Sequence, residues 1–263
     1  ICFSFHPMRI TFLGTGTSQG VPVIACHCQV CRSTNSRDHR LRSSIMVELK
    51  NQRIVIDCGT DFRQQMLREK IDSIDAILVT HAHKDHLGGL DDVRAFNYIL
   101  RKPTPVYATY DVQEQIRREY SYAFSGDRYP GVPEIELNTY TNAPFFIGET
   151  EILPIKAIHY NDNQFVFGFR IHHFTYLTDI YRISEEEKQK ILGSKVVVVN
   201  ALRKRKHYSH MNLEEAIALL TELDPERGFL THISHQMGLF SEIETELPDS
   251  ISLAWDRLRI ELD

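Results

Sequence analysis

The sequence predicts an α/β fold, and three features of its 263 residues support this class. Apolar stretches of strand length alternate with stretches of helix length along the chain. Residues 74–80 and 195–200 are almost continuous apolar runs, which are typical of strands buried on both faces. The sequence contains neither an internal repeat nor a linker-like segment. We therefore expect a single domain over residues 1–263, with residues 1–7 as an upstream extension before Met8.

Composition and charge limit the class of protein. Hydrophobic residues make up 42% of the chain and charged residues 25%, as in ordinary globular domains. The net charge of -5 gives no general basicity toward nucleic acid. No stretch approaches the roughly 18 apolar residues of a membrane span. We therefore expect a cytoplasmic protein whose partner is neither a membrane nor a nucleic acid.

The first predicted strand, at residues 9–13, leads into the glycine-rich sequence G-T-G-T-S-Q-G at residues 14–20. This sequence resembles a dinucleotide-binding fingerprint, but Gln19 stands where the third glycine is needed and no helical pattern follows. A tight turn is the better interpretation. Other strands and helices of the first half are predicted at residues 44–49, 53–57, 61–70, 74–80, 91–100, 106–108 and 111–118.

Three of the five cysteines form a C-x-C-x-x-C motif at Cys26, Cys28 and Cys31. An odd number of cysteines with this clustering argues against a disulfide framework and for a bound metal. Three thiolates could hold one structural zinc ion, with a fourth ligand from elsewhere in the chain. Reduced thiols without metal are the alternative. Cys58 is expected to be a small buried side chain.

The densest motif, H-x-H-x-D-H, directly follows the strand predicted at residues 74–80. Imidazole nitrogen and carboxylate oxygen together suit Zn, Mn or Fe. A loop at the end of a buried strand is a suitable place to present such ligands, and two glycines after the motif permit a tight turn. A polar loop without metal is the alternative. The ligand-type residues of the motif are His81, His83, Asp85 and His86.

Residues 120–133 are rich in aromatic side chains and contain two prolines. We favour a packed irregular loop for this aromatic stretch. The alternatives are the wall of a substrate pocket or a contact in a dimer.

The second half continues the alternation of strands and helices. His172 and His173 lie between two predicted hairpin strands, and we expect solvated side chains rather than ligands. Ser184 opens a predicted capping box for a helix that ends near Gly193, and Asn212 has the same role for a helix that reaches about residue 223. The strands are predicted at residues 145–158, 165–171, 174–179, 195–200 and 229–231.

Three isolated ligand-type residues, His159, Asp179 and His232, each follow a predicted strand. Together with the H-x-H-x-D-H loop they make seven ligands. Seven ligands suit two metal ions that share a carboxylate and a bridging hydroxide. Asp57, at the end of another strand, is either a carboxylate that supports a ligand histidine or a turn cap.

At these residues the sequence resembles the metallo-β-lactamase superfamily, over nearly the whole chain from Met8 onward. The resemblance implies a four-layer αββα sandwich with two metal ions at the edge of its sheets. It implies that His81, His83 and His159 hold one ion. It further implies that Asp85, His86 and His232 hold the other ion, with Asp179 as the bridging aspartate.

The glycine-rich opening and the cysteine motif resemble the phosphoribosyl cyclic phosphodiesterase of the carbon–phosphorus lyase pathway and its relatives. This resemblance implies that His235 joins Cys26, Cys28 and Cys31 at a structural zinc ion. It also implies that a histidine before a late helix contacts the phosphate and assists the leaving group. His210 matches that position, and His207 is the alternative.

We therefore expect a metal-dependent hydrolase that cleaves a small, cyclic phosphodiester with a metal-activated hydroxide. Asp85 would also hold the attacking hydroxide, and Arg203–Lys206 is either a phosphate attractant or a solvated charge run. Hydrolysis of a thioester, lactone or other carbonyl substrate, a tRNA 3′-processing nuclease and a metal-bound interaction module are the alternatives. The active-site metals are Zn, Mn or Fe, and the aromatic stretch and the family resemblance suggest a homodimer.

Overall fold

The structure is a computed structural model that describes residues 8–126 and 130–263. The described chain divides into two compact units. The first unit comprises residues 8–14, Ser44–Tyr140 and Arg257–Asp263, and the second comprises Thr15–Ser43 and Thr141–Asp256. The expected single domain over residues 1–263 stays a prediction, and its upstream extension, residues 1–7, lies outside the described residues.

The first unit contains a seven-stranded mixed sheet with the order β14-β1-β2-β3-β4-β5-β6. The pairs from β14 to β3 are antiparallel, and the pairs from β3 to β6 are parallel. The strands are β1 (Met8–Gly14), β2 (Ser44–Leu49), β3 (Gln52–Ile56), β4 (Ala76–Leu78), β5 (Thr104–Ala108), β6 (Ile135–Thr139) and β14 (Arg259–Leu262). The helices are α1 (Phe62–Glu69), α2 (Lys84–Leu87), α3 (Arg94–Leu100), α4 (Tyr110–Glu119) and α5 (Ser121–Phe124).

The strand β4 is shorter than the seven residues that the apolar run predicts. The Thr80 N–H donates to the side chain of Asp57 at 2.9 Å, so the chain leaves the sheet before the run ends. The predicted hairpin of β2 and β3 is confirmed, with Leu49 opposite Gln52. The core of this unit is built from apolar side chains of the central strands and of α1 and α4, among them Val55, Ile77 and Ile116.

The second unit contains a second seven-stranded mixed sheet, with the order β13-β12-β11-β10-β9-β8-β7. It repeats the pattern of the first sheet, because three antiparallel pairs from β7 to β10 are followed by three parallel pairs. The strands are β7 (Phe145–Ile147), β8 (Thr150–Ile158), β9 (Phe165–Ile171), β10 (Phe174–Tyr176), β11 (Val196–Asn200), β12 (Arg227–Thr231) and β13 (Ile251–Leu253). The helices are α6 (Glu185–Gln189), α7 (Leu213–Leu223) and α8 (Phe240–Ile243).

The helix α7 packs its apolar stripe into the core of the second unit. Leu213, Ala216, Leu220 and Leu223 recur at helical spacing and are buried. A complete capping box at Asn212 begins this helix, as predicted.

The capping box predicted at Ser184 forms only in part, and α6 ends at Gln189 rather than near residue 193. The Ser184 hydroxyl accepts the Glu187 N–H at 3.3 Å. The Glu187 carboxylate instead accepts the Lys156 N–H at 2.9 Å, because the helix lies beside β8.

Within the described ranges, no helix is long and apolar enough to cross a membrane.

Candidate metal centres

The H-x-H-x-D-H motif of the first unit lies directly after β4. The parallel strands β3 and β4 end side by side, and polar groups that follow such strand ends come together at one edge of the sheet. The His81 ring lies 4.5 Å from the His83 ring and 4.3 Å from the His86 ring, measured between centroids. The helix α2 begins after His83 and carries Asp85 and His86 on its first turn. The four predicted ligands of the motif therefore lie at the same edge of the sheet, with His81 next to His83 and His86 next to Asp85.

Asp57 orients two of these histidines. Its fully buried carboxylate accepts His86 Nδ1–H at 2.7 Å and the Thr80 hydroxyl at 2.9 Å. The Thr80 oxygen in turn lies 3.0 Å from His81 Nδ1 and accepts its proton. Both rings thus carry their proton on Nδ1 and present the Nε2 lone pair, as metal-ligating histidines do. Burial raises the pKa of Asp57, although the hydrogen bonds from His86 and Thr80 act in the opposite direction.

The orientation of His86 tests whether this cluster fits a cation. His86 Nε2 lies 3.2 Å from Asp85 Oδ2. With the ring proton on Nδ1, two electron-rich atoms face each other at that distance, and a positive ion between or beside them removes the repulsion. The donor set of imidazoles and a carboxylate is the one that Zn, Mn and Fe accept. Asp85 and His86 therefore supply two donors that suit a divalent ion.

A second cluster forms in the second unit around Asp179. Its Oδ1 lies 3.0 Å from His210 Nε2 and 3.1 Å from His232 Nε2, and the Thr178 hydroxyl donates to Oδ2 at 2.7 Å. His159 Nδ1–H donates to the Asp179 backbone oxygen at 2.6 Å, which directs the His159 Nε2 lone pair away from that bond. His159, Asp179 and His210 present ligand atoms within 4.8 Å of one another. Within this cluster, Asp179, His159 and His232 supply the carboxylate and imidazole donors that a divalent ion accepts, and His210 lies against the carboxylate.

The backbone at three of these strand ends is strained. Asp57, Asp179 and His232 have φ values of 65°, 58° and 54°, in the left-handed region that favours glycine. Side chains in this conformation persist where the surrounding structure demands them, and they concentrate at functional sites. Glycine is required beside the motif for another reason, since a Cβ at Gly59 would overlap the backbone oxygen of Asp85.

Cys26, Cys28, Cys31 and His235 form the third cluster, within the second unit. Their Sγ atoms lie 3.2, 3.4 and 3.6 Å from His235 Nδ1. Zinc bonds of about 2.3 Å to sulfur and 2.0 Å to nitrogen place tetrahedral ligands roughly 3.6 Å apart, close to these values. The cluster therefore fits a tetrahedral cation. Cys26 and His235 are more than 200 residues apart in the sequence, so the C-x-C-x-x-C motif alone does not identify the fourth ligand.

The thiols of this cluster differ in their pKa values. Burial opposes ionisation of Cys28, but the Cys31 N–H and the His235 ring outweigh it and lower the pKa of Cys28 to about 6. Burial and the neighbouring sulfurs raise the pKa of Cys31 to about 11. A cation is what would allow several adjacent thiolates to coexist.

The structure places His210, rather than His207, against Asp179. The half-buried His207 is one step further out, with its Nδ1 3.3 Å from His210 Nδ1. The Ser209 hydroxyl lies 2.9 Å from His210 Nδ1 and 3.3 Å from His207 Nδ1. Burial and the charge of His210 lower the pKa of His207.

The basic run at residues 203–206 is largely engaged in local contacts. Arg203 donates to Gln236 at 2.6 Å, and Lys204 pairs with Glu246 at 2.7 Å. This engagement favours the interpretation as a solvated, structural charge run over that of a phosphate attractant.

Other predictions have mixed outcomes. His172 and His173 are exposed at the turn between β9 and β10, as predicted. Tyr120 of the aromatic stretch is buried and donates to the Leu87 backbone oxygen at 2.9 Å, so this end of the stretch is packed. Ser121–Phe124 form the helix α5 rather than the predicted irregular loop, and Tyr129 lies outside the described residues. The sequence did not predict the roles of Thr80, Thr178 and Ser209, whose hydroxyls orient their neighbours. Their position next to a ligand-type residue was the available signal.

Comparison with known proteins identifies the class. Residues 52–233 match the model of the beta-lactamase superfamily domain, and the protein belongs to the metallo-β-lactamase superfamily. A solved structure described as a new diphosphatase from the PhnP family has a TM-score of 0.90 and 33% sequence identity, covering 97% of this chain and 98% of that one. The predicted α/β sandwich class and the family resemblance are thereby confirmed.

Two curated relatives extend the comparison. A protein named octanoyltransferase from Porphyromonas gingivalis is 38% identical over 259 residues, which is 97% of this chain and 52% of that protein. A ribonuclease Z from Exiguobacterium sp. is 27% identical over 168 residues, which is 62% of this chain and 48% of that protein. The matched region is thus about half of the length of both relatives.

Proposed function

We propose that this protein hydrolyses a phosphodiester, most directly a small cyclic one, by means of two divalent ions. His81, His83 and His159 would hold one ion and Asp85, His86 and His232 the other, with Asp179 shared between the two. When bound, the ions neutralise the anionic substrate and generate hydroxide near neutral pH. A third ion, which we propose to be zinc, would be held by Cys26, Cys28, Cys31 and His235 and would serve a structural role.

The observation that carries this proposal is the contact between His210 and Asp179. The 3.0 Å separation of His210 Nε2 from Asp179 Oδ1 would let the carboxylate hold a proton on that nitrogen. A phosphodiester releases an alkoxide, which is a poor leaving group unless it is protonated. A histidine in this position can supply that proton. A thioester releases a thiolate, which needs no such proton.

The remaining residues have positioning roles. Asp85, which lies beside His86 on the same turn of α2, would also hold the attacking hydroxide. Asp57 and Thr80 hold His86 and His81 in the tautomer that leaves Nε2 for ligation. Ser209 holds the His210 ring through Nδ1, which keeps its Nε2 directed at Asp179.

The relatives favour phosphate chemistry but also name a second candidate. The diphosphatase and the ribonuclease Z are named for reactions at phosphorus. Octanoyl transfer is a reaction at a carbonyl carbon, so that relative favours hydrolysis of a thioester or a related acyl substrate as the second candidate.

A substrate panel separates the candidates. Protein loaded with Mn²⁺ or Zn²⁺ is assayed with bis(p-nitrophenyl) phosphate, a 2′,3′-cyclic nucleotide, a diphosphate-linked dinucleotide, an acyl thioester and a lactone. Diester turnover that disappears in Asp179→Ala supports the proposal. Asp224→Ala is the matched control, because Asp224 has the same left-handed backbone at a helix end. Thioester or lactone turnover without diester turnover would overturn the proposal in favour of the second candidate.

A further inference from the structure

Two exposed tyrosines lie beside the histidine cluster of the second unit. Tyr208 is 69% exposed and Tyr160 is 47% exposed. Their rings meet edge to face with centroids 5.5 Å apart. Tyr160 directly follows the predicted ligand His159, and Tyr208 lies two residues before His210. Both rings are thus presented to solvent next to the groups to which we assign the reaction.

Two neighbouring rings restrict the Tyr208 ring. The His207 ring stacks on it, with centroids 4.2 Å apart and planes inclined by 29°. The His207 ring is itself 5.2 Å from the His210 ring, and Ser209 Oγ lies within hydrogen-bond distance of both Nδ1 atoms. A ring held in this way loses little freedom when a flat ligand stacks on or beside it, which is how aromatic side chains bind bases.

The distances suit a substrate in which a sugar connects a base to the reacting phosphate. The Tyr208 ring lies no further from the His210 ring than the two centroid steps of 4.2 and 5.2 Å allow. A phosphate beside His210 Nε2 and a base beside Tyr208 are therefore separated by a span that a ribose can bridge. A substrate without a base would leave this aromatic surface in water.

We propose that Tyr208, supported by Tyr160, forms a stacking surface for the nucleobase of the substrate and so determines substrate class. This inference rests on the proposed function and deepens it, because it names a phosphoester that carries a nucleobase. Stacking accepts every base, since each has an aromatic face, so the surface selects for a base without selecting among bases. Tyr208 is a specificity residue and takes no part in bond cleavage.

A purely structural role is the competing explanation, in which the tyrosine pair only joins the loop after β8 to the loop before α7. The two explanations differ in what a substitution changes. Loss of a structural contact lowers the stability of the protein and slows the turnover of every substrate. Loss of a stacking surface weakens the binding of only those substrates that carry a base.

The experiment measures initial rates by ³¹P NMR for 2′,3′-cyclic AMP and for the corresponding cyclic phosphate of ribose without a base. The variants are Tyr208→Ala, Tyr208→Phe and, as an equally exposed tyrosine on α3, Tyr98→Ala. We expect Tyr208→Ala to raise the KM for cyclic AMP about tenfold, the usual cost of one lost stacking ring, with kcat and the base-free substrate almost unchanged. Tyr208→Phe and Tyr98→Ala are expected to resemble the wild type. Equal losses for both substrates in Tyr208→Ala, or no loss for either, would overturn the inference.

A binding measurement separates this inference from the proposed function. Isothermal titration with AMP and with ribose 5-phosphate needs no turnover. We expect the wild type to bind AMP about tenfold more tightly than ribose 5-phosphate, and Tyr208→Ala to lose this preference. If no diester is hydrolysed but the preference is present and depends on Tyr208, the proposed function fails and the stacking surface stands. If the wild type shows no preference for AMP, the stacking surface is refuted whatever the activity.

Discussion

Replacing Asp57 with asparagine is expected to weaken metal binding at His86 by about 10- to 100-fold, the usual effect of removing a carboxylate that supports a ligand histidine. Asp57 Oδ2 accepts His86 Nδ1–H at 2.7 Å, and Oδ1 accepts the Thr80 N–H at 2.9 Å. The amide of asparagine supplies only one oxygen. Its NH₂ group must therefore face a buried donor on one side or the other.

The expected loss of affinity follows from the complete burial of Asp57 and His86. A buried donor that loses its acceptor costs about 1–3 kcal/mol, because water cannot replace the lost partner. If the NH₂ group faces His86, the ring escapes the clash by moving its proton to Nε2, where it blocks ligation. A 10- to 100-fold loss of affinity corresponds to about 1.4–2.7 kcal/mol, which lies within the same range.

The assay is isothermal titration of metal-stripped protein with Mn²⁺. The matched control is Asp38→Asn, since Asp38 is also buried and its carboxylate accepts the Phe240 N–H at 2.7 Å without touching a histidine. Asp38→Asn is expected to lower stability but to retain the affinity for Mn²⁺. Wild-type affinity in Asp57→Asn would refute the assignment of Asp57 as the residue that orients His86.

Three further predictions concern other parts of the chain. Cys28→Ser is expected to remove one zinc ion per chain in elemental analysis, because a tetrahedral site with three remaining ligands binds weakly. Gly59→Ala is expected to reduce diester turnover strongly, since its Cβ would displace the Asp85 backbone, as steady-state kinetics will measure. Glu187→Gln is expected to lower the free energy of unfolding by about 1–3 kcal/mol in urea at pH 7. Burial opposes ionisation of Glu187, but hydrogen bonds from Lys190 and Asn142 lower its pKa below 4.5, so this stabilisation is present above pH 4.5 and is lost as the pH falls further.

Matched variants control these three measurements. Cys58→Ala removes a buried thiol outside the cysteine cluster and is expected to leave the zinc content unchanged. Gly126→Ala places a Cβ in open space and should retain activity. Glu186→Gln alters an exposed neighbour of Glu187 and should show no pH-dependent gap. A zinc content unchanged by Cys28→Ser, normal turnover in Gly59→Ala, or a stability gap in Glu187→Gln that is constant down to pH 4 would contradict the respective prediction.

The sequence was most informative where chemistry and strand periodicity coincide. The runs that became β4 and β11 are almost continuously apolar, and the H-x-H-x-D-H motif after the first run could be recognised as presented at a strand end. Short elements such as β6, β13 and β14 were not predicted, because three to five residues at the sheet edge carry little periodic signal. The strained backbone at Asp179 and His232 is likewise a consequence of tertiary structure rather than of local propensity.

Contacts between residues that are distant in the sequence could not be predicted from local sequence patterns. Only the family resemblance predicted that His235 joins the cysteine cluster, because nothing in the sequence around His235 specifies Cys26 as a neighbour. The contact of Tyr160 with Tyr208 had no sequence signal, because the two tyrosines lie on loops that only the folded sheet brings together. From the sequence, Asp57 could either support a ligand histidine or cap a turn. Its short distance to His86 favours the supporting role.

The measurement that tests the central claim most directly is the dependence of diester turnover on metal stoichiometry. Chelator-treated protein is reloaded stepwise with Mn²⁺, and hydrolysis of 2′,3′-cyclic AMP and the bound metal are measured on the same samples. We expect no turnover without metal and a maximum at two ions per chain beyond the ion of the cysteine cluster. Turnover in the metal-free protein, or fully loaded protein that cleaves no phosphodiester, would contradict it.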